Sequence, residues 1–120
     1  MDGKPAQESY SELSELTLPN DAGALGTVLG GKIMHLVDIA GAIAASRHCR
    51  EYVVTASFDH MDFLEPVSIG DLVILRAAVN RAFRTSMEVG VKVFAENLGT
   101  GAARHVASAY LTFVALDKNR

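Results

Sequence analysis

Residues 30–47 read GGKIMHLVDIAGAIAASR, and this stretch decides the fold. Its apolar residues recur at helical rather than strand spacing, so the sequence predicts one long helix over residues 31–47. Because apolar residues cover most of the helix circumference, we expect protein rather than solvent to enclose it.

Strand patterns lie on both sides of this helix. The predicted strands cover residues 10–18, 52–63, 71–81, 85–95 and 104–116, and the alternation is clearest between Met87 and Val93. The last four strands follow one another without helices, which predicts an antiparallel sheet. The sequence therefore predicts an α+β fold, with one long central helix wrapped by a curved antiparallel sheet of about five strands.

Length and composition fit one domain. The chain has 120 residues, of which 49% are hydrophobic, enough for a single core. We expect one domain over residues 10–120, preceded by a flexible arm over residues 1–9 that lacks the apolar stretch of a secretion signal. A single sheet of this kind leaves its edges exposed, so we expect at least a homodimer.

Charge and cysteine content exclude several functional classes. The formal net charge of -3 gives no broad attraction to nucleic acid or to an anionic membrane, and no apolar segment is long enough to span a bilayer. Cys49 is the single cysteine, which indicates a reducing, cytoplasmic location. We expect no metal, because metal-ligand spacing is absent from the histidines, which are His35, His48, His60 and His105.

Asp38 is the strongest candidate for chemistry. A carboxylate among the apolar residues 36–45 is costly to bury without a partner. Such a group can act as a general base or as a nucleophile towards an activated acyl carbon. The alternative is structural, with Asp38 and His35 forming a short polar stripe that reaches solvent.

The second candidate is the glycine pair Gly30 and Gly31, directly before the helix. Glycines let a ligand approach the backbone closely, and free amides at a helix start can hold an anion or a developing oxyanion. Gly31 and Asp38 are close to two helical turns apart and so on nearly the same face, where one ligand could meet both. The alternative is that the pair only makes a tight turn.

These residues resemble the acyl-CoA thioesterase branch of the hotdog superfamily, which includes bacterial short-chain acyl-CoA thioesterases and brain acyl-CoA hydrolase. The match is strongest over residues 26–41, with a Gly-Gly pair, a Met, and an Asp followed by small residues, and it continues over residues 53–59, 63–71 and 84–89. The resemblance implies a hotdog-fold hydrolase that converts acyl-CoA to a carboxylic acid and coenzyme A. It implies no cofactor, since coenzyme A is part of the substrate.

The resemblance also implies roles for single residues. Asp38 would be the catalytic aspartate, Gly30 or Gly31 would supply the oxyanion contact, and Thr55 would lie near the reacting centre. It further implies a homo-oligomer, either a dimer or a dimer-based tetramer or hexamer, with active sites at the subunit interface.

Coenzyme A contacts are implied for Arg84-Thr85-Ser86, where the arginine would pair with phosphate and the two hydroxyls would hydrogen-bond. The alternative is an exposed polar strand start. One departure from the family pattern is Gly23, which stands where many relatives have an asparagine, so that either Asn20 replaces that contact or the contact is lost.

Two rival functions use the same fold. The first is a non-catalytic acyl-CoA sensor or scaffold, which the missing asparagine makes plausible. The second is a dehydratase with a histidine and acid pair, for which His35 is the candidate. The sequence does not set the acyl-chain length.

Overall fold

One long helix packs against a five-stranded antiparallel sheet in this structure, a computed structural model that describes residues 9–116. The order of elements is the predicted one, and the α+β class is confirmed. The elements are β1 Ser11–Leu16, a 3₁₀ turn Pro19–Asp21, α1 Gly30–Cys49, β2 Val53–Phe63, β3 Leu72–Ala82, β4 Ser86–Glu96 and β5 Ala103–Ala115.

The strands lie in the order β1-β3-β4-β5-β2. Strands β3, β4 and β5 are joined by hairpins and form the centre of the sheet, because consecutive antiparallel strands pair most readily with each other. The two strands that flank α1 in the sequence, β1 and β2, form the opposite edges. The helix therefore lies across the sheet between its two edge strands.

The core lies between α1 and one face of the sheet. Val37 and Ala44 of the helix are fully buried, as are Val89 and Leu111 of the sheet. The sequence predicted that protein encloses the helix, and this is the case only on the side that faces the sheet. On the far side Ile39 and Ile43 are 37% and 39% exposed, because one five-stranded sheet covers only one side of a helix.

Gly41 allows the helix to lie close to β5. A Cβ atom placed on Gly41 would be 2.9 Å from Cε2 of Phe113, whose ring is buried. Glycine at this position thus lets the backbone of α1 rest on the Phe113 ring, one turn after Asp38.

Gly41→Ala is expected to lower the free energy of unfolding by about 1–3 kcal/mol, because the added methyl overpacks the core. The matched control is Gly31→Ala in the same helix, where a Cβ would meet nothing within 4 Å. That control should keep or raise the stability, since alanine favours the helix over glycine. Urea unfolding of both variants checks this, and equal stabilities would contradict the packing described for Phe113.

Strand β2 is a long open edge. It has 11 residues, pairs with β5 on one side, and is exposed at most positions, including Val54 at 46% and Phe63 at 52%. Unpaired backbone groups and apolar side chains along one edge are typical of a strand that pairs with another chain.

The start of the described chain is fixed to the sheet. Ser9 is buried, and its Oγ accepts a hydrogen bond of 2.9 Å from the amide of Val79. The flexible arm was predicted over residues 1–9, of which residues 1–8 lie outside the described part of the chain.

Candidate functional site

Asp38 lies in the middle of α1 and faces β2. The residue is partly buried, and its Oδ1 accepts a solvent-exposed hydrogen bond of 2.5 Å from the Thr55 hydroxyl. Within residues 9–116, Oδ2 has no hydrogen-bond donor. The carboxylate is therefore oriented through one oxygen, while the other is available to a ligand or a water.

The turn after the helix brings Thr55 to Asp38. Arg50 ends α1 in the left-handed conformation, with φ of 57°, and its amide bonds to the carbonyl of Ser46. The chain then reverses into β2, whose Thr55 pairs in register with Phe113. Because the Phe113 ring also contacts the helix at Gly41, the close approach of α1 sets the distance between Asp38 and Thr55.

Two amides at the start of α1 have no hydrogen-bond partner within residues 9–116. Leu29 caps the helix in an extended conformation without a side-chain hydrogen bond, and its carbonyl accepts from Lys32 at 3.0 Å. The amides of Gly30 and Gly31 have no acceptor among the described residues. Free amides at this end of a helix carry partial positive charge and suit an anionic oxygen.

Lys32 fixes this helix start to the rest of the fold. Its Nζ lies 2.6 Å from a Glu15 carboxylate oxygen on β1 and 3.6 Å from one of Asp21 in the preceding loop. The hydrogen bond to Glu15 raises the pKa of Lys32 above its usual value. The ammonium therefore stays charged at neutral pH and is held by carboxylates of its own chain.

The distance along the helix limits what Asp38 and Gly31 of one chain can do together. Seven residues of α-helix rise about 10 Å. If an Asp38 oxygen attacked the carbonyl carbon directly, that oxygen and the amide nitrogen that holds the oxyanion would lie about 7 Å apart at most. When both groups belong to one chain, they can therefore act on one carbonyl only if a water lies between Asp38 and that carbonyl. When Asp38 and the glycine come from two different chains, this distance does not limit them.

Arg84, Thr85 and Ser86 lie in the β3–β4 hairpin at the other end of the molecule. The carbonyl of Thr85 accepts from Ala115, next to the point where β2 begins after the helix. The side chains of Arg84 and Thr85 are exposed. The length of α1, about 30 Å for its 20 residues, separates this hairpin from the glycine pair.

The loop before the helix carries no asparagine contact. A Cβ on Gly23 would lie 2.8 Å from Cδ2 of Leu29, so a leucine side chain fills the space beside this glycine. Asn20 lies in the 3₁₀ turn, is exposed, and has no hydrogen bond within the described part of the chain. Asn20 thus makes no hydrogen bond inside the described chain that takes the place of the family asparagine.

A pocket of about 310 Å³ opens beside the helix start, and the sequence patterns did not predict it. We call it the Phe63 pocket. Its lining includes Gly30, the exposed side chains of Phe63 and Leu64, and the buried Val28 and Ile33. The signal that could have revealed it is the apolar pair Phe63-Leu64 at the end of a strand, directly before a turn.

Residues 9–116 contain neither a candidate metal-ion cluster nor a helix that could span a membrane. No group of three or more His, Cys, Asp and Glu side chains is placed to hold a metal ion there. No helix in that range is long and apolar enough to cross a membrane.

Known proteins resemble this chain over most of its length. The family model of the thioesterase superfamily matches residues 25–102. An uncharacterized acyl-CoA thioester hydrolase of Bacillus subtilis is 43% identical over 113 residues, which are 94% of this chain and 66% of that protein. A hexameric acyl-CoA thioesterase of known structure is 39% identical, with a TM-score of 0.93 over 97% of this chain and 74% of that one.

An acyl-CoA hydrolase of Staphylococcus aureus, solved with butyryl coenzyme A and coenzyme A, is 37% identical, with a TM-score of 0.91 over 97% of this chain and 71% of that one. Variants of it carry alanine for one aspartate, one asparagine or one threonine. That aspartate and threonine are 17 residues apart, as are Asp38 and Thr55. The asparagine precedes the aspartate at the spacing of Gly23 from Asp38.

Proposed function

Because this chain belongs to the thioesterase superfamily, we propose that it hydrolyses acyl-CoA thioesters to a carboxylic acid and coenzyme A. The hotdog fold predicted from the sequence is confirmed by its structural relatives. The observation that carries the proposal is the Asp38 carboxylate, which Thr55 orients on a helix whose first glycine amides have no acceptor in the described part of the chain.

Asp38 acts as the general base. Thr55 donates to one carboxylate oxygen, and the other oxygen accepts a proton from a water that attacks the thioester carbonyl. The amide of Gly30 or Gly31 donates to the oxyanion that forms on the carbonyl oxygen. The carbon–sulfur bond then breaks, coenzyme A leaves as the thiol after taking the proton, and the acid remains.

The active site is shared between two copies of the chain. The open edge of β2 and the exposed Ile39 and Ile43 support pairing with a second copy, and related thioesterases of known structure are hexamers. Pairing of β2 with its own copy is antiparallel by symmetry, so that Thr55 and Asp38 of one chain approach the Phe63 end of the other. The glycine pair beside Phe63 then comes from the partner.

Release of free thiol from a series of acyl-CoAs tests this function. Turnover well above the rate without protein would support it. The alternative is a non-catalytic acyl-CoA sensor, which the glycine at position 23 favours because it stands where a relative has an asparagine. Thermal stabilisation by acyl-CoA without thiol release would favour that alternative.

Arg84→Ala is expected to raise KM for acyl-CoA about tenfold or more with little change in kcat. A charge-assisted contact to a coenzyme A phosphate is made equally in the ground and transition states, so its loss weakens binding alone. Arg81→Ala on the same hairpin is the matched control, since its guanidinium instead lies over the Phe83 ring. Steady-state kinetics separate the two, and an unchanged KM for Arg84→Ala would remove this residue from the site.

A further inference from the structure

We propose that the Phe63 pocket receives the acyl chain of the substrate, and that Phe63 and Leu64 set the longest chain accepted. This inference rests on the proposed thioesterase function. The substrate class is uncharged acyl groups of short to medium length, bound in a pocket next to the helix start.

The position of the pocket supports an acyl ligand. Gly30 lines the pocket, and a Cβ on Gly30 would lie 3.6 Å from Cζ of Phe63. A carbonyl oxygen held by the Gly30 amide therefore places the adjoining carbon atoms beside the Phe63 ring. Within one chain the hairpin that carries Arg84 lies at the far end of α1, so it takes no part in the lining of the pocket.

The chemistry of the lining favours an apolar chain. Ile33 and Val67 are 2% and 4% exposed and form the buried side, while Phe63 and Leu64 are 52% and 54% exposed and face the open volume. An acyl chain that covers these two side chains removes apolar surface from water. Glu65 is the one charged residue of this lining, and it would repel an acyl group with a second carboxylate at its far end.

The volume sets a limit on length. At about 30 Å³ per methylene-sized group, the share of one water in the liquid, the pocket of about 310 Å³ holds about ten such groups at most. Each methylene that enters is expected to raise kcat/KM about fourfold, and this gain should stop once the pocket is full.

The experiment compares wild type with Phe63→Ala on straight-chain acyl-CoAs from two to sixteen carbons. Because Phe63 is half exposed in the single chain, its loss is not expected to unfold the protein. Once size-exclusion chromatography shows that the variant assembles like wild type, the longest chain that still gains rate should grow by several carbons. The matched control is Leu98→Ala, in the β4–β5 turn, which is 55% exposed and lies outside the pocket lining. Leu64→Trp is the reciprocal variant, and it should shorten the accepted chain.

Each outcome decides a separate point. Hydrolysis by wild type with the same chain-length profile in Phe63→Ala and Leu64→Trp would overturn the pocket assignment and leave the thioesterase function standing. No hydrolysis of any acyl-CoA by wild type would contradict the function itself. Glu65→Gln should raise kcat/KM more for acyl groups with a terminal carboxylate than for uncharged ones, and an equal effect on both kinds would also overturn the assignment.

Discussion

Asp38→Asn is expected to lower kcat by about 10²–10⁴-fold, the usual contribution of a general base. Asparagine has nearly the shape of aspartate, and its carbonyl oxygen can still accept the hydrogen bond from Thr55. The amide cannot take a proton from water, so the chemical step alone is affected. KM and the stabilisation by coenzyme A should change little.

The control for this variant is Asp62→Asn. Asp62 is an exposed aspartate of β2 that hydrogen-bonds to His60 at 2.8 Å, away from the helix. Thiol release by both variants should be followed under saturating substrate, together with their thermal unfolding. Wild-type turnover by a folded Asp38→Asn protein would rule out the proposed role of this carboxylate.

Gly30→Pro is expected to lower kcat by about 10²–10³-fold, the usual loss when an oxyanion donor is removed. Proline lacks the amide hydrogen but suits the first position of a helix. Leu29 before it has ψ of 137°, the conformation that a residue preceding proline favours. Gly30→Ala keeps the amide and is the matched control. If Gly30→Pro retains activity, the oxyanion donor is the amide of Gly31 instead, and Gly31→Pro should show the loss.

Mixing the two inactive variants should restore activity. When Asp38→Asn and the inactive glycine variant are co-expressed with different tags, half of random pairs contain one chain of each kind. In a site shared between chains, such a pair has one intact site of two, so about a quarter of the wild-type activity should return. The isolated hybrid should show about half. Activity no higher than that of the parents would show that Asp38 and the glycines act within one chain.

Local patterns in the sequence predicted the elements closely. The helix was predicted over residues 31–47 and spans Gly30–Cys49, because apolar periodicity marks the buried turns but not the last fraying one. The first strand was predicted over residues 10–18 and is shorter, Ser11–Leu16, since the chain leaves the sheet for the 3₁₀ turn at Pro19.

The long-range arrangement could not be predicted in the same way. No local signal states that β2 becomes an edge beside β5, and the contact of Thr55 with Asp38 depends on that order. The family resemblance pointed to both residues, but it did not predict the hydrogen bond between them. The Phe63 pocket was missed because its residues come from two segments, 28–33 and 63–67, that meet only in the folded chain.

The open edge of β2 also bears on how the protein is handled. A solitary chain offers 11 residues of extended backbone to any other strand, and this is the kind of template from which fibrils grow. Partner binding protects that edge by mass action, and the protection fades on dilution. At equal total concentration, a variant that dissociates into single chains should therefore lose soluble protein during storage sooner than one that stays paired.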